Sequence, residues 1–172
     1  MKKIQSILNI IKLMRPQSVM LMLLFIYIPI FMRTREYIYV LSQVIPMYFL
    51  LTGEIILNDY VDVEKDKINK QHRPLAAGKV CMYVAKRMII IMFIGAIIFG
   101  IMFYKKNILS LLLFLLIFIV LTGYSLYIKQ IAVIKTFVTA FVTLLCICFI
   151  NTIIDYGIDI YVLSVISFFY IY

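Results

Sequence analysis

The chain has 172 residues, 65% of them hydrophobic, and a formal charge of +9; its mean hydropathy is +1.07. Soluble domains average roughly 45–50% apolar residues, so this chain carries more apolar surface than a core of its own size can hide, and it needs lipid around it. The positive balance does not indicate nucleic acid, because the basic residues sit in gaps between apolar runs and form no patch interleaved with stacking aromatics.

In chain order, Ile4, Ile7, Leu8, Ile11 and Met14 recur at helical spacing with Lys3 and Lys12 among them, which predicts an interfacial amphipathic helix over 4–14. Arg15-Pro16 interrupts the apolar stretch and no small-residue cleavage site follows, so the start does not read as a cleavable signal peptide. Apolar runs then predict spans at about 16–32, 37–57, 82–104, 107–127 and 131–153, and a sixth that begins near Ile158 and is cut off at Tyr172. The expected fold is an all-α, multi-pass transmembrane bundle of five complete spans and a truncated sixth, one membrane domain over 1–172. Placing the N-terminus in the cytoplasm puts all of the 17 lysines and arginines except Arg33, Arg35, Lys105 and Lys106 on the inner side. Inner loops are enriched in such residues, so the N-terminus and the polar segment 58–80 are expected to be cytoplasmic, in the cell membrane. Cys81, Cys146 and Cys148 form no CxxC and have no histidine partner at ligand spacing, so neither a zinc site nor a disulfide framework is expected. His72, the only histidine, reads as a loop residue.

Segment 58–80 carries the chemistry. In Asn58-Asp59-Tyr60-Val61-Asp62-Val63-Glu64-Lys65-Asp66 the aspartates stand at i, i+3 and i+7, which brings them within about 60° of one another on a helix, with Glu64 on the far side. Carboxylates on one face repel unless a cation neutralises them, and an all-oxygen set suits Mg²⁺ shared with substrate phosphates. Lys67, Lys70 and Arg73 place cations beside that face, and Pro74 and Gly78 turn the chain. Acids for a metal and bases for a phosphate make a plausible metal–diphosphate site; the plainer alternative is a solvated loop between two spans. Glu54, five residues before Asp59 and deeper in its span, is expected to point into the bundle.

The pattern Asn58-Asp59-x-x-Asp62-x-x-x-Asp66, followed by Arg73-Pro74-Leu75-Ala76-Ala77-Gly78, resembles the first aspartate-rich signature of UbiA-type intramembrane prenyltransferases. Arg15-Pro16 and Tyr124-Ser125-x-x-x-Lys129 are similar to further stretches of that family, though neither is specific alone. The resemblance runs from about residue 10 to the end, with its specific part in 58–78. It implies transfer of a prenyl group from a polyprenyl diphosphate to an aromatic or lipid-headgroup acceptor, with Mg²⁺. Asp59, Asp62 and Asp66 would bind the metal, and Asn58, Lys67, Arg73 and Lys129 the diphosphate. Asp66 and Arg73 at i, i+7 with Asn69 between look like the chlorophyll-synthase, homogentisate and archaeal digeranylgeranylglyceryl-phosphate branches.

The family also has about nine spans and a second aspartate-rich motif. Asp155-x-x-x-Asp159 is not read as that motif, because the expected topology puts it on the membrane face opposite Asp59. The chain is therefore expected to be the N-terminal portion of such an enzyme, inactive alone, with a C-terminal half missing. A phosphatidyltransferase is disfavoured because Asp59 is followed by Tyr60 and no Ala-Arg follows. A non-catalytic membrane protein or a divalent-cation transporter remains the alternative; a transporter would need an acid at the depth of Glu54 to pair with it.

Overall fold

The computed structural model describes residues 2–128 and 132–154. They form α1 (Lys2–Met14), α2 (Pro16–Thr34), α3 (Tyr37–Val61), a short α4 (Val63–Asn69), α5 (Met82–Tyr104), α6 (Ile108–Gly123), a π-helical turn (Tyr124–Ile128) and α7 (Ala132–Ile154). The bundle is all-helical, and five of its helical segments are long and apolar enough to cross a membrane. The expected sixth span lies outside the described residues.

The break between α1 and α2 falls where the sequence places it. Arg15 adopts a left-handed backbone, φ 46 and ψ 60, and Pro16 opens α2, a position where its missing N–H costs nothing. Side-chain amphipathicity gives α1 two surroundings. Asn9 and Leu13 are buried against the bundle, while Ile4, Ile7, Leu8 and Ile11 are exposed.

Helix α3 is the centre of the bundle and packs along α5 and α2; α7 closes the other side against α6 and α2. The α3–α5 pair is held close by reciprocal insertion. A Cβ on Gly53 of α3 would meet Phe93 at 2.6 Å, and one on Gly95 of α5 would meet Phe49 at 2.6 Å. Small residues let membrane helices approach and bring their dispersion contacts into range. The main core joins Ile26 and Ile30 of α2, Met47 and Leu50 of α3, Phe114 and Ile117 of α6, and Phe149 and Ile150 of α7. Within it the Tyr104 hydroxyl donates to the Gln43 carbonyl, and its ring meets Phe114 and Phe149 edge-on at 5.3 and 5.1 Å.

A second core lies at the end of the bundle that carries segment 58–80. It joins Leu13, Ile56 and Leu57, Leu75 and Val80 of the loop, and Ala85 and Ile89 of α5. At the opposite end the Tyr39 hydroxyl donates to the Ile153 carbonyl at 3.2 Å, and the Asn107 amide donates to the Thr152 carbonyl at 2.7 Å. Helix α7 thus runs away from the motif end as it approaches residue 154. Asp155 and Asp159 lie outside the described residues.

Candidate active site

Helix α3 does not stop where its apolar run stops. It continues through Asn58 and Asp59 to Val61, and only Asp62, φ −88 and ψ 6, separates it from α4. The Asp62 N–H still bonds the Asn58 carbonyl at 3.2 Å and the Asp66 N–H the Asp62 carbonyl at 2.8 Å, so the i, i+4 ladder carries across the break. Asp59 and Asp66 therefore keep their common face.

Their side chains meet at an arginine. Arg73 Nη1 donates to Asp59 Oδ1 at 3.0 Å and also to Asp66 Oδ2. Arg15 Nη2 donates to both oxygens of Asp59, at 2.6 and 2.8 Å, across a separation of 44 residues. Asp59 is 1% exposed and Asp66 4%; the arginine side chains are 11% exposed for Arg73 and 31% for Arg15. Buried carboxylates are tolerated only when paired and hydrogen-bonded, and here two guanidinium groups do both.

The loop is shaped to deliver Arg73. Its carbonyl accepts from the Ala77 N–H at 2.8 Å, the Pro74 carbonyl accepts from Lys79 at 2.9 Å, and Gly78 turns the chain with φ 67. Leu75 anchors this turn by packing into the second core. Lys67 goes elsewhere, pairing with Glu64 at 2.7 Å on the exposed side of α4. Asp62 interacts electrostatically with Tyr124 of the π-helical turn. Lys129 lies outside the described residues.

A metal fits this donor set in one way. Asp59 and Asp66 converge on a single cationic nitrogen, so their oxygens already face a shared positive centre. Among the described residues no three acidic, histidine or cysteine side chains gather closely enough to hold an ion by themselves. Mg²⁺ commonly uses only one or two carboxylates and completes its shell with water and substrate phosphates, which matches a two-carboxylate site.

Beside the ion cluster opens a cavity of about 290 Å³ between α2, α3, α6 and α7. Arg15, Asn58, Glu54, Tyr124 and Ser125 supply polar groups to its lining; Phe25, Met47, Leu121 and Val142 are among its apolar walls. The π-helical turn puts Ser125 beside Glu54, whose oxygens accept from Ser125 Oγ at 3.1 Å and from Thr122 Oγ1. Such turns are frequent where a helix must re-aim a functional side chain. Sequence reasoning pointed Glu54 into the bundle but did not find its hydroxyl partners, about 70 residues away.

The model of the UbiA prenyltransferase family matches residues 22–172. The chain is 25% identical over 161 residues to a digeranylgeranylglyceryl phosphate synthase of Methanobrevibacter smithii, covering 92% of this chain and 57% of that protein. It is 39% identical over 62 residues to a protein of the same name from Sulfolobus acidocaldarius, 22% of that protein, and 36% over 87 residues to one from Korarchaeum cryptofilum, 27% of that protein. The longest of these matches spans little more than half the length of the relative. No solved structure matches the chain significantly. With its family model matching most of the chain around an acidic, arginine-paired site, the chain belongs to the UbiA prenyltransferase family.

Proposed function

We propose that the protein contributes to Mg²⁺-assisted transfer of a prenyl group from a polyprenyl diphosphate to a lipid-headgroup acceptor, in the assembly of archaeal-type ether lipids. The carrying observation is the juxtaposition of the Asp59–Arg73–Asp66 cluster with a cavity whose remaining walls are largely apolar. Phosphates need cations and the prenyl chain needs an apolar slot; the two lie side by side at one end of the bundle. The name of these relatives, digeranylgeranylglyceryl phosphate synthase, favours a glyceryl-phosphate acceptor over an aromatic ring.

In this reading the motif segment faces the cytoplasm in the cell membrane, and Asp59, Asp62 and Asp66 form the acidic side of the site. When bound, Mg²⁺ supplies charge neutralisation for the departing diphosphate. Arg73 and Arg15 change partners, from carboxylates to phosphate oxygens, for which a planar guanidinium is well shaped. Asn58 adds a polar contact at the cavity, and Lys129 is assigned to the diphosphate from the family resemblance alone. Apolar walls keep water from the reacting carbon, so the acceptor captures it instead.

The test is a transfer assay on membranes holding the full-length protein, with radiolabelled geranylgeranyl diphosphate, Mg²⁺ and a monoprenylated glyceryl phosphate. A labelled diprenyl product that disappears on chelation is the expected result. No product, with a relative's enzyme active in parallel, would overturn the reading.

A further inference from the structure

Glu54 is a buried acid that the metal and diphosphate chemistry leaves unused. It sits in the membrane-spanning part of α3, is 7% exposed and lines the cavity. Among the described residues no lysine or arginine forms an ion pair with it. Its oxygens are met by the hydroxyls of Thr122 and Ser125. A hydroxyl both donates and accepts, so these partners can accommodate Glu54 with or without a proton. Asp59, held by guanidinium groups that only donate, has no such freedom.

Depth gives the second argument. Five residues of helix separate Glu54 from Asp59, a rise of about 7.5 Å. Phosphates gripped at the level of Asp59 leave the first prenyl carbon just inside the cavity, near the level of Glu54. An intramembrane acid facing a cavity is a functional group by default, and Glu54 lines the cavity that the prenyl-transfer reading gives to the donor.

We propose that Glu54 is the general base of the transfer, and that the acceptor is an apolar-tailed molecule attacking through a hydroxyl. The inference rests on the prenyl-transfer reading above. The acceptor oxygen forms a bond to the first prenyl carbon as the bond from that carbon to the diphosphate oxygen breaks. The bonding pair leaves with the diphosphate, and the hydroxyl proton passes to the Glu54 carboxylate. Glu54 then returns the proton through water at the cavity mouth, leaving an ether and hydrogen diphosphate.

The experiment compares the full-length parental protein with Glu54→Gln and Glu54→Ala in membranes, measuring kcat and KM for both substrates. Glu54→Gln keeps the size, offers an acceptor oxygen to one of the two hydroxyls and an N–H donor to the other, but cannot take a proton. General-base loss predicts kcat lower by about 10²–10⁴-fold with KM for the prenyl diphosphate changed by less than about threefold. A Glu54→Ala protein should regain at least about tenfold of its lost rate with added formate, a rescue that a purely structural role would not show. Parental kcat in Glu54→Gln would overturn the inference while leaving prenyl transfer intact. A parental protein that prenylates no hydroxyl acceptor would overturn the inference, and one that prenylates nothing would overturn both. If Glu54→Gln fails to insert, Glu54→Ala decides: a rate restored by formate supports the base, and a rate that formate leaves unchanged overturns it.

Discussion

Arg73→Ala tests the ion cluster directly. The substitution removes the one nitrogen shared by Asp59 and Asp66 and leaves two nearly inaccessible carboxylates facing each other. Removing one partner of a buried ion pair typically costs about 3–5 kcal/mol. Arg15 still holds Asp59, so the lower end, about 3 kcal/mol, is the appropriate figure. For a chain of this size that corresponds to a fall of about 6–12 °C in the thermal midpoint. The same substitution exposes both carboxylates to a divalent ion. Mg²⁺ at a hundred times its Kd would then return about 2.7 kcal/mol, nearly all of the loss. The assay is thermal unfolding of the detergent-solubilised protein with and without Mg²⁺, beside an Arg73→Ala/Asp66→Asn control that removes a carboxylate as well. The control should show a smaller loss and a smaller Mg²⁺ response. An Arg73→Ala midpoint equal to the parent, or one that Mg²⁺ does not move, would refute both the buried-pair argument and the assignment of a cation to these two aspartates.

Other outcomes follow from the aspartate motif and from the packing. Asp62→Ala in the full-length protein should abolish prenyl transfer, read as labelled product, while membrane insertion measured by carbonate extraction stays at the parental level. Gly95→Leu drives a branched side chain into Phe49 and should lower stability by about 1–3 kcal/mol, seen as a lower thermal midpoint in detergent. Cys146→Trp projects a ring into the cavity wall; transfer from a twenty-carbon donor should fall at least about tenfold relative to a five-carbon donor, measured in competition.

Much of the architecture is legible in the sequence because lipid imposes a simple rule: a span must be about 20 apolar residues long. The bounds of α5 agree with the expectation, and Pro16 marks the start of α2 to the residue. Hydropathy ends the apolar span near Leu57, while the aspartate spacing carries the helix on past it, and α3 does continue through Asn58 and Asp59, where Arg15 and Arg73 neutralise the acid. That compensation comes from positions 44 and 14 residues away, and no local pattern encodes it. The loop before α5 reads as a solvated turn in sequence; in the fold Leu75 plugs it into a core and gives Arg73 a fixed base. Lys67 illustrates the reverse case. In sequence it lies next to Asp66 and suggests a phosphate contact, but the local i, i+3 pair with Glu64 turns it outward.

The two inward acids of α3 show how one helix can serve two chemical purposes. Asp59 lies at the end of the bundle among guanidinium groups, so its surroundings are suited to exchanging one cation for another, an arginine for a metal. Glu54 lies deeper, among hydroxyls that can reverse their direction of hydrogen bonding, so its surroundings are suited to exchanging a proton. Swapping these environments would fail on both counts. A hydroxyl pair could not hold the cluster of Asp59 and Asp66 together, and an arginine beside Glu54 would place a permanent charge against the apolar cavity wall at a cost of several kcal/mol. In the proposed transfer, the separation of about one and a half turns between the acids would put diphosphate binding and nucleophile deprotonation at two levels of one helix. The π-helical turn serves this division by bringing Ser125 to Glu54 while the neighbouring Tyr124 interacts electrostatically with Asp62. Straightening that turn should therefore disturb proton transfer and diphosphate binding together, whereas substitutions at Thr122 should touch proton transfer alone.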